Sequence, residues 1–166
     1  IPRFAPRPPE DIPAPRDPPD VPFVAVFPID WADLDPAQIA YTGRLPDFAV
    51  RAVDRWMVAQ LGGGFFGLTR DYGIDTPFVH LSVDFTSPVT AEGDLACTVH
   101  VAEVGRTSAG FRVVARQGER ECFSARLVAV FINQVAFEPA PIPPNVRATL
   151  EAHRDRLPAP AAPARG

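Results

Sequence analysis

The segment Arg44–Leu61 carries the clearest periodic pattern of apolar positions in the chain. Apolar residues recur there at spacings of three and four, which places them in one wide stripe along a helix. Thr42 is a suitable N-cap ahead of this segment, and the run Gly62-Gly63-Gly64 ends it. A helix of this length spans about 27 Å. The width of the stripe predicts that the helix lies on a sheet.

The rest of the chain has the patterns of β-strands. Apolar and polar residues alternate over 79–85, whereas 127–132 is apolar at every position, which is typical of a strand covered on both faces. Glycine-containing pairs separate the apolar runs, so we expect short hairpin turns. The predicted strands are residues 21–29, 65–72, 79–85, 95–104, 107–116 and 122–135. A surface helix is predicted over 144–157, and the element order indicates an α+β fold with an antiparallel sheet.

Prolines are concentrated at the two ends of the chain. Ten of the 21 prolines lie in residues 1–28 and seven in 139–166. Because proline lacks an N–H and favours extended conformations, such segments are poor material for a packed sheet. At 166 residues the chain has room for a single domain. We therefore expect a proline-rich extended tail over 1–20, one domain over 21–138, and a C-terminal tail with a short helix over 139–166.

Composition argues against several classes of function. A net charge of −4 without a basic stripe argues against nucleic acid as a partner. The apolar runs are too short to cross a bilayer and no signal peptide is recognisable, so we expect a cytoplasmic protein without membrane contact. Cys97 and Cys122 lack metal-ligand spacing, so two buried thiols are expected. His80, His100 and His153 also lack neighbouring ligands, and no metal site is predicted.

Three motifs, in order along the chain, carry a family resemblance. The first is Asp33-Leu34-Asp35-Pro36, just ahead of the helix. The second spans 83–94 and reads VDFTSP followed by EGD, and the third is the turn VGRTS at 104–108. Together with the element order, they make the chain resemble the hotdog fold and, within it, the 4-hydroxybenzoyl-CoA thioesterase-like acyl-CoA thioesterases. This resemblance implies an antiparallel sheet wrapped around one long central helix.

The resemblance also implies a reaction and a site. An acyl-CoA, with an aromatic acyl group as one option, would be hydrolysed to the free acid and coenzyme A without a metal. In such enzymes the second Asp of the turn attacks the thioester or activates water, a role that falls to Asp35. The backbone N–H of Thr42 would polarise the carbonyl. Arg106 and Arg112 are candidate contacts of the coenzyme A phosphates.

Cofactor and assembly follow from the same resemblance. Coenzyme A is part of the substrate, so no separate cofactor is expected. Hotdog proteins usually pair two sheets and place the site at the seam between protomers. We therefore expect a homodimer or a dimer-of-dimers tetramer, with Asp35 of one chain facing the partner.

Departures from the family pattern leave other functions open. Gln38 stands where the family usually has Gly. Residues 41–45 read YTGRL, whereas the family commonly has a motif with an Asn-Tyr pair just before the helix. Asp35 also begins an Asp-Pro turn, which is commonly a structural feature. The alternative function is a non-catalytic hotdog module that binds acyl-CoA or an acylated carrier. A hotdog hydratase or dehydratase ranks last, because no His stands beside a carboxylate at the helix start.

Overall fold

The computed structural model describes residues 22–154. In chain order the elements are β1 (Phe23–Phe27), a 3-10 turn (Trp31–Asp33), α1 (Arg44–Leu61), α2 (Gly64–Tyr72), β2 (Ile74–Asp75), β3 (Phe78–Phe85), β4 (Leu95–Val104), β5 (Ser108–Gln117), β6 (Arg120–Val130), β7 (Ile132–Asn133) and α3 (Pro144–Arg154). The bounds of α1 are those that the apolar periodicity predicts. The tail expected over 1–20 lies outside the described residues, and so does the part of the C-terminal tail, expected over 139–166, that follows residue 154.

Five strands form one antiparallel sheet in the order β1-β4-β5-β6-β3. The central strands β4, β5 and β6 are consecutive in the chain, as expected for strands joined by hairpin turns. The helix α1 contacts all five strands from one side of this sheet. We call the side that α1 covers the inner face and the opposite side the outer face. The predicted α+β arrangement, an antiparallel sheet around one long helix, is confirmed.

The apolar stripe of α1 lies at the centre of the core. Phe48, Trp56 and Met57 are almost completely buried. The ring of Trp56 meets that of Phe111 on β5 edge-on, with 5.8 Å between centroids. The helix ends where Gly62 takes a left-handed φ of +81° and donates its N–H to the carbonyl of Val58. A stripe of this width therefore packs on the sheet, as expected.

The prediction of a strand over 65–72 is wrong, because this segment is the helix α2. Gly64, at φ +59°, and Gly73, at φ +65°, bend the backbone at its two ends. The carboxylate of Asp54 accepts the N–H of Phe65, which satisfies one donor of the first turn. The two phenylalanines suggested a strand, but their side chains differ in environment. Phe65 packs edge-on against Phe78, whereas Phe66 is 89% exposed.

The strand predicted over 122–135 is divided in two. β6 ends at Val130, and β7 pairs with β2 in a separate two-stranded sheet. Burial across 127–132 alternates between full and partial, so the apolar run is not covered on both faces within one chain. The reason is that α1 covers only the inner face of β6.

The helix α3 packs against the core, whereas a surface helix was expected here. Val146 and Leu150 are buried, and the ring of His153 lies edge-on to Trp56, 5.0 Å away. Arg147 donates to the carbonyl oxygen of Gly105 at 2.6 Å, which ties the helix to the turn between β4 and β5. Residues after 138 thus contribute to the core.

No helix of the described residues has the length and apolar character needed to cross a membrane.

Candidate active site ahead of the central helix

The carboxylate of Asp35 closes its own turn. Its Oδ1 accepts the N–H of Ala37 at 2.8 Å and that of Ile39 at 3.2 Å. The backbone N–H of Asp35 donates to the carbonyl of Ile39, and the carbonyl of Asp35 accepts the N–H of Gln38, both at 2.9 Å. The structural role of an Asp-Pro turn is therefore present. Within the described residues, the second oxygen, Oδ2, accepts no hydrogen bond and is available for chemistry.

Gln38 has the left-handed backbone conformation that this turn requires. Its φ is +61°, a region that costs a residue with a side chain roughly 1–2 kcal/mol. Only two non-glycine residues of the described part have a positive φ, and Gln38 is the one in the candidate site. The position at which the family usually has Gly therefore keeps a conformation suited to Gly.

The start of α1 is left without a side-chain cap. The N-cap is Gly43 rather than the predicted Thr42, and no side chain accepts from the first turn at this residue. Within the described residues, the backbone N–H groups of Thr42 and Gly43 donate to no other group. A Cβ added at Gly43 would meet nothing within 4 Å, so the backbone there faces open space. Free N–H groups at a helix start favour a negatively charged oxygen.

A cleft of about 300 Å³ has Thr42, one of these two residues, in its lining. One wall consists of residues just before and within the first turn of α1, and the other of the end of β3 and the loop that follows it. Its apolar lining includes Leu45 and Phe85, while Thr42, Thr86 and Ser87 add polar atoms. Asp35 lies in the turn next to Ile39, which also lines the cleft. Apolar walls with a few polar atoms are typical of small-molecule sites.

Two polar residues at the ends of β5 and β6 anchor the far wall of the cleft. The side chain of Gln117, only 7% exposed, accepts the N–H of Thr90 and donates to the carbonyl oxygens of Thr90 and Gly93. Arg120 donates to the hydroxyl of Ser87 at 3.1 Å and to Gln117 at 3.0 Å. Sequence reasoning missed both residues, since a Gln at a strand end shows no distinctive pattern.

The cleft wall also contacts the Asp35 turn directly. The N–H of Ala40 donates to the carbonyl of Val89 at 2.8 Å, and Ile39 forms an antiparallel bridge with Thr90. The loop that Gln117 anchors is therefore the surface against which the C-terminal side of the turn rests. The position of Asp35 relative to α1 consequently depends on residues about 80 positions later in the chain.

Asp33 and Arg44 form a second connection that the sequence did not reveal. Asp33 is 5% exposed, and its Oδ1 accepts from Arg44 Nη2 at 2.6 Å and from Nε at 3.0 Å. This hydrogen bond and the negative charge of Asp33 raise the pKa of Arg44. Asp33 Oδ2 accepts the N–H of Asp30, and the two form a capping box in the 3-10 turn. Asp33 thus has a structural role in this turn.

Arg106 and Arg112 lie away from Asp35 and Thr42 within one chain. Arg106 is exposed at the turn after β4, whereas Thr90, which follows Val89 of the cleft wall, contacts Gln117 at the opposite end of β5. Ten residues of strand place these two ends about 30 Å apart. Arg112 lies on the outer face and pairs in register with His100 and Arg126. Burial, and then the charge of Arg112, lower the pKa of His100.

The cysteines and histidines form no metal centre in the described part of the chain. No group of three or more His, Cys, Asp or Glu side chains there could hold a metal ion. Cys97 and Cys122 are both free and buried, as predicted. Burial, together with the nearby Cys122, raises the pKa of the Cys97 thiol to about 12, so it stays protonated.

The family of the chain follows from a sequence comparison. The model of the acyl-CoA thioesterase N-terminal domain matches residues 32–131. The chain belongs to this family. The matched range includes the Asp35 turn, the whole of α1, the cleft and the strands β3 to β6. The resemblance to hotdog thioesterases is therefore confirmed.

Solved structures of thioesterases share the fold. A thioesterase superfamily protein from Jannaschia sp. CCS1 is 40% identical, with a TM-score of 0.75, over 81% of this chain and 94% of that one. Slr0204, a 1,4-dihydroxy-2-naphthoyl-CoA thioesterase from Synechocystis, is 18% identical, with a TM-score of 0.69, over 81% and 96% of the two chains.

A DHNA-CoA thioesterase from Staphylococcus aureus is 14% identical, with a TM-score of 0.68, over 80% of this chain and 88% of that one. The identities with the Synechocystis and Staphylococcus proteins are low, so these two comparisons show a shared hotdog fold alone. A comparison with curated proteins gives no significant match.

Proposed function

We propose that this protein is an acyl-CoA thioesterase that hydrolyses an acyl-CoA to a free carboxylic acid and coenzyme A. The observation that carries the proposal is that Asp35, with one free carboxylate oxygen, lies in the turn just ahead of the unpaired N–H groups of Thr42 and Gly43, in a chain of the thioesterase family. The aromatic ring of Phe85 in the cleft supports an aromatic acyl group as one substrate class.

The proposed chemistry needs one carboxylate and fixed backbone dipoles. The thioester oxygen accepts hydrogen bonds from the N–H groups of Thr42 and Gly43, which stabilise the negative charge that develops there. Asp35 Oδ2 either attacks the carbonyl carbon and forms an anhydride, or takes a proton from the attacking water. In both routes the C–S bond breaks and coenzyme A leaves as its thiolate. In the first route water then hydrolyses the anhydride, which releases the acid and restores Asp35; in the second the proton passes from Asp35 to the thiolate or to solvent. Because a thioester is already activated, this route requires no metal.

We further propose that two copies associate through β3. This strand is an edge of the sheet, and its inner-face residues Leu81 and Phe85 are 36% and 58% exposed. An exposed apolar edge strand favours pairing with another strand. Since Phe85 lines the cleft, a partner strand there would also cover the site. A dimer, or a tetramer of two such dimers, would then be the active form.

A β3 interface can be tested by the mass of the protein in solution. Leu81→Arg places a charge in the proposed seam and should convert the dimer to a monomer in size-exclusion chromatography with light scattering. Val24→Arg is the matched control, because Val24 is 44% exposed on the opposite edge strand, β1. A dimer that survives Leu81→Arg but not Val24→Arg would contradict the assignment to β3.

For Arg106 and Arg112, the separation from Asp35 supports contact with coenzyme A bound mainly by a neighbouring protomer. In that arrangement Arg106→Gln or Arg112→Gln should raise KM and leave kcat nearly unchanged, because a phosphate contact contributes equally to ground and transition states.

The two unpaired thiols suit a reducing compartment, and we propose a cytoplasmic location.

Thiol release from a panel of aromatic and aliphatic acyl-CoAs tests the reaction. Wild type should hydrolyse at least one of them, and Asp35→Asn should lower kcat by about 100-fold or more. Asp47→Asn is the matched control, since Asp47 lies in the first turn of α1 and pairs with Arg51 on the surface. Full activity of Asp35→Asn would remove Asp35 from the mechanism.

The second candidate function is binding of acyl-CoA or an acylated carrier without turnover. It is favoured by one observation, the use of Asp35 Oδ1 to close its own turn. Calorimetry with a non-hydrolysable thioether analogue distinguishes the two functions. Tight binding of the analogue with no thiol release from any acyl-CoA would support the binding module.

A further inference from the structure

The ion pair between Asp33 and Arg44 joins the two ends of the segment that carries Asp35. Arg44 is the first residue of α1, where the helix dipole disfavours a positive charge. Its side chain nevertheless donates twice to Asp33, and the carboxylate that it reaches is buried. The helix dipole therefore does not explain why an arginine occupies this position, whereas the ion pair with Asp33 does.

The backbone of Asp33 closes the same segment from the inside. Its carbonyl oxygen accepts the N–H of Tyr41 at 3.0 Å, and Leu34 bridges Ala40 in antiparallel fashion. Residues 33–41 therefore form a loop whose stem is the Asp33–Tyr41 contact and whose tip is the Asp35 turn. The ion pair connects this stem to the first turn of α1, directly beside the N–H groups of Thr42 and Gly43.

The tip of the loop is under conformational strain, which the stem must oppose. Gln38 sits at φ +61°, and opening the turn would release its unfavourable conformation. Such a residue keeps its conformation only where surrounding contacts determine it. The contacts available are the Asp35 hydrogen bonds, the bridge to Thr90 and the Asp33 stem.

We propose that Asp33 and Arg44 are positioning residues that hold the loop closed against the strain at Gln38. Their ion pair keeps Asp35 at a fixed position relative to the N–H groups of Thr42 and Gly43. The role in catalysis rests on the proposed thioesterase function, whereas the closure of the loop does not depend on it.

Arg44→Gln and Asp33→Asn test the role in catalysis. Displacement of a reacting group by about 1 Å can lower a rate by about 100-fold, so we expect kcat to fall by about 10- to 100-fold with KM changed by less than about 3-fold. Arg51→Gln is the matched control, because it breaks an Arg–Asp pair on the exposed side of the same helix. Equal kcat values for Arg44→Gln and Arg51→Gln, each referred to the folded fraction, would overturn the proposal.

Gln38→Gly tests the link to strain. Glycine adopts the left-handed conformation freely, so the loop should need less support from the ion pair. We expect Arg44→Gln combined with Gln38→Gly to recover at least about 3-fold in kcat over Arg44→Gln alone. Ala37→Gly in the same background is the control for added flexibility and should recover nothing. Recovery by Ala37→Gly equal to that by Gln38→Gly would overturn the link to strain.

Amide hydrogen exchange provides a readout that does not depend on activity. The Tyr41 N–H, which donates to Asp33, should exchange about 10-fold faster or more in Arg44→Gln than in wild type. The Gly62 N–H, at the far end of α1, should be unchanged. Unaltered exchange at Tyr41 would overturn the closure of the loop even if catalysis is lost. Faster exchange at Tyr41 in a protein that hydrolyses no acyl-CoA would support the closure and reject the proposed function.

Discussion

The two ends of α1 are held in place by different kinds of interaction. At its C-terminal half, Trp56 and Met57 are buried among apolar side chains, and the ring of His153 on α3 packs edge-on against Trp56. At its N-terminus, Leu45 and Phe48 continue the apolar face, but the segment that leads into the helix is held by ion pairs and hydrogen bonds, such as Arg44 to Asp33 and Ala40 to Val89. Two N–H groups there have no partner in the described residues, and the backbone at Gly43 faces open space.

This difference separates stability from chemistry along one helix. Apolar burial contributes free energy without leaving any atom free to react. Polar contacts fix the position of a loop while the groups at its tip stay accessible to a ligand. The C-terminal half of α1 therefore anchors the helix, and its N-terminus can present Thr42 and Gly43 to a substrate.

The largest effect on stability is expected from truncating a buried side chain in the C-terminal half of α1. Trp56→Ala removes a fully buried indole and should lower the free energy of unfolding by about 3–5 kcal/mol. The kcat of the folded fraction should stay within about 2-fold of wild type. Urea unfolding and thiol release at low temperature measure the two quantities. A loss of kcat similar to that of Asp35→Asn would show that the two ends are not separate.

A smaller loss of stability with a larger loss of activity is expected at the polar end. Gln117→Leu keeps the volume but leaves the N–H of Thr90 and the carbonyl of Gly93 without their partner, at a cost of about 1–3 kcal/mol. Because Thr90 bridges Ile39, the Asp35 turn should shift and kcat should fall by about 10-fold. The same two measurements apply, and a fall in stability with unchanged kcat would contradict the role of this wall.

The buried thiol of Cys97 should make the stability of the protein decrease at alkaline pH. The folded state raises the pKa of Cys97 to about 12, while the unfolded thiol ionises near its ordinary value of about 8.5. Above about pH 9 the unfolded state loses the proton first, so stability decreases as pH rises, by at most ~1.4 kcal/mol per pH unit from this group. Urea titrations of wild type and Cys97→Ala between pH 8 and 11 should show a steeper decline for wild type. Parallel declines would indicate that water reaches the thiol.

The smallest effect is a gain at the strained turn. Gln38→Gly relieves the left-handed conformation but adds freedom to the unfolded chain, so we expect a net stabilisation of about 1 kcal/mol or less. Ala37→Gly, next to it in the same turn, gains no such relief and should destabilise the protein slightly. Equal shifts of the urea midpoint for both variants would show that Gln38 carries little strain.

Local patterns account for most of the elements and for the errors among them. The stripe of α1 depends on neighbours within a few residues, so the bounds of this helix are those predicted, and the predicted start of β3 differs by one residue. The apolar positions of β3 are not all buried, because it is an edge strand. The segment 65–72 was misread because two adjacent phenylalanines suggest a strand, while the left-handed glycines that bound α2 are visible only in the fold. The cap of α1 was misplaced by one residue, from Gly43 to Thr42, because a hydroxyl side chain alone does not show whether it accepts a bond.

The candidate site was predicted in part for the same reason. Asp35 and the helix that follows it are close in sequence, so the sequence by itself determined their proximity, the α+β element order and the family resemblance. The tertiary structure alone decided which polar groups meet: Asp33 with Arg44, eleven residues apart, and Thr90 with Gln117, twenty-seven apart. It also placed Arg106 and Arg112 away from Asp35. The sheet brings Thr90 to Gln117, and the fold of the loop 33–41 brings Asp33 to Arg44. No local pattern of polar residues encodes either contact.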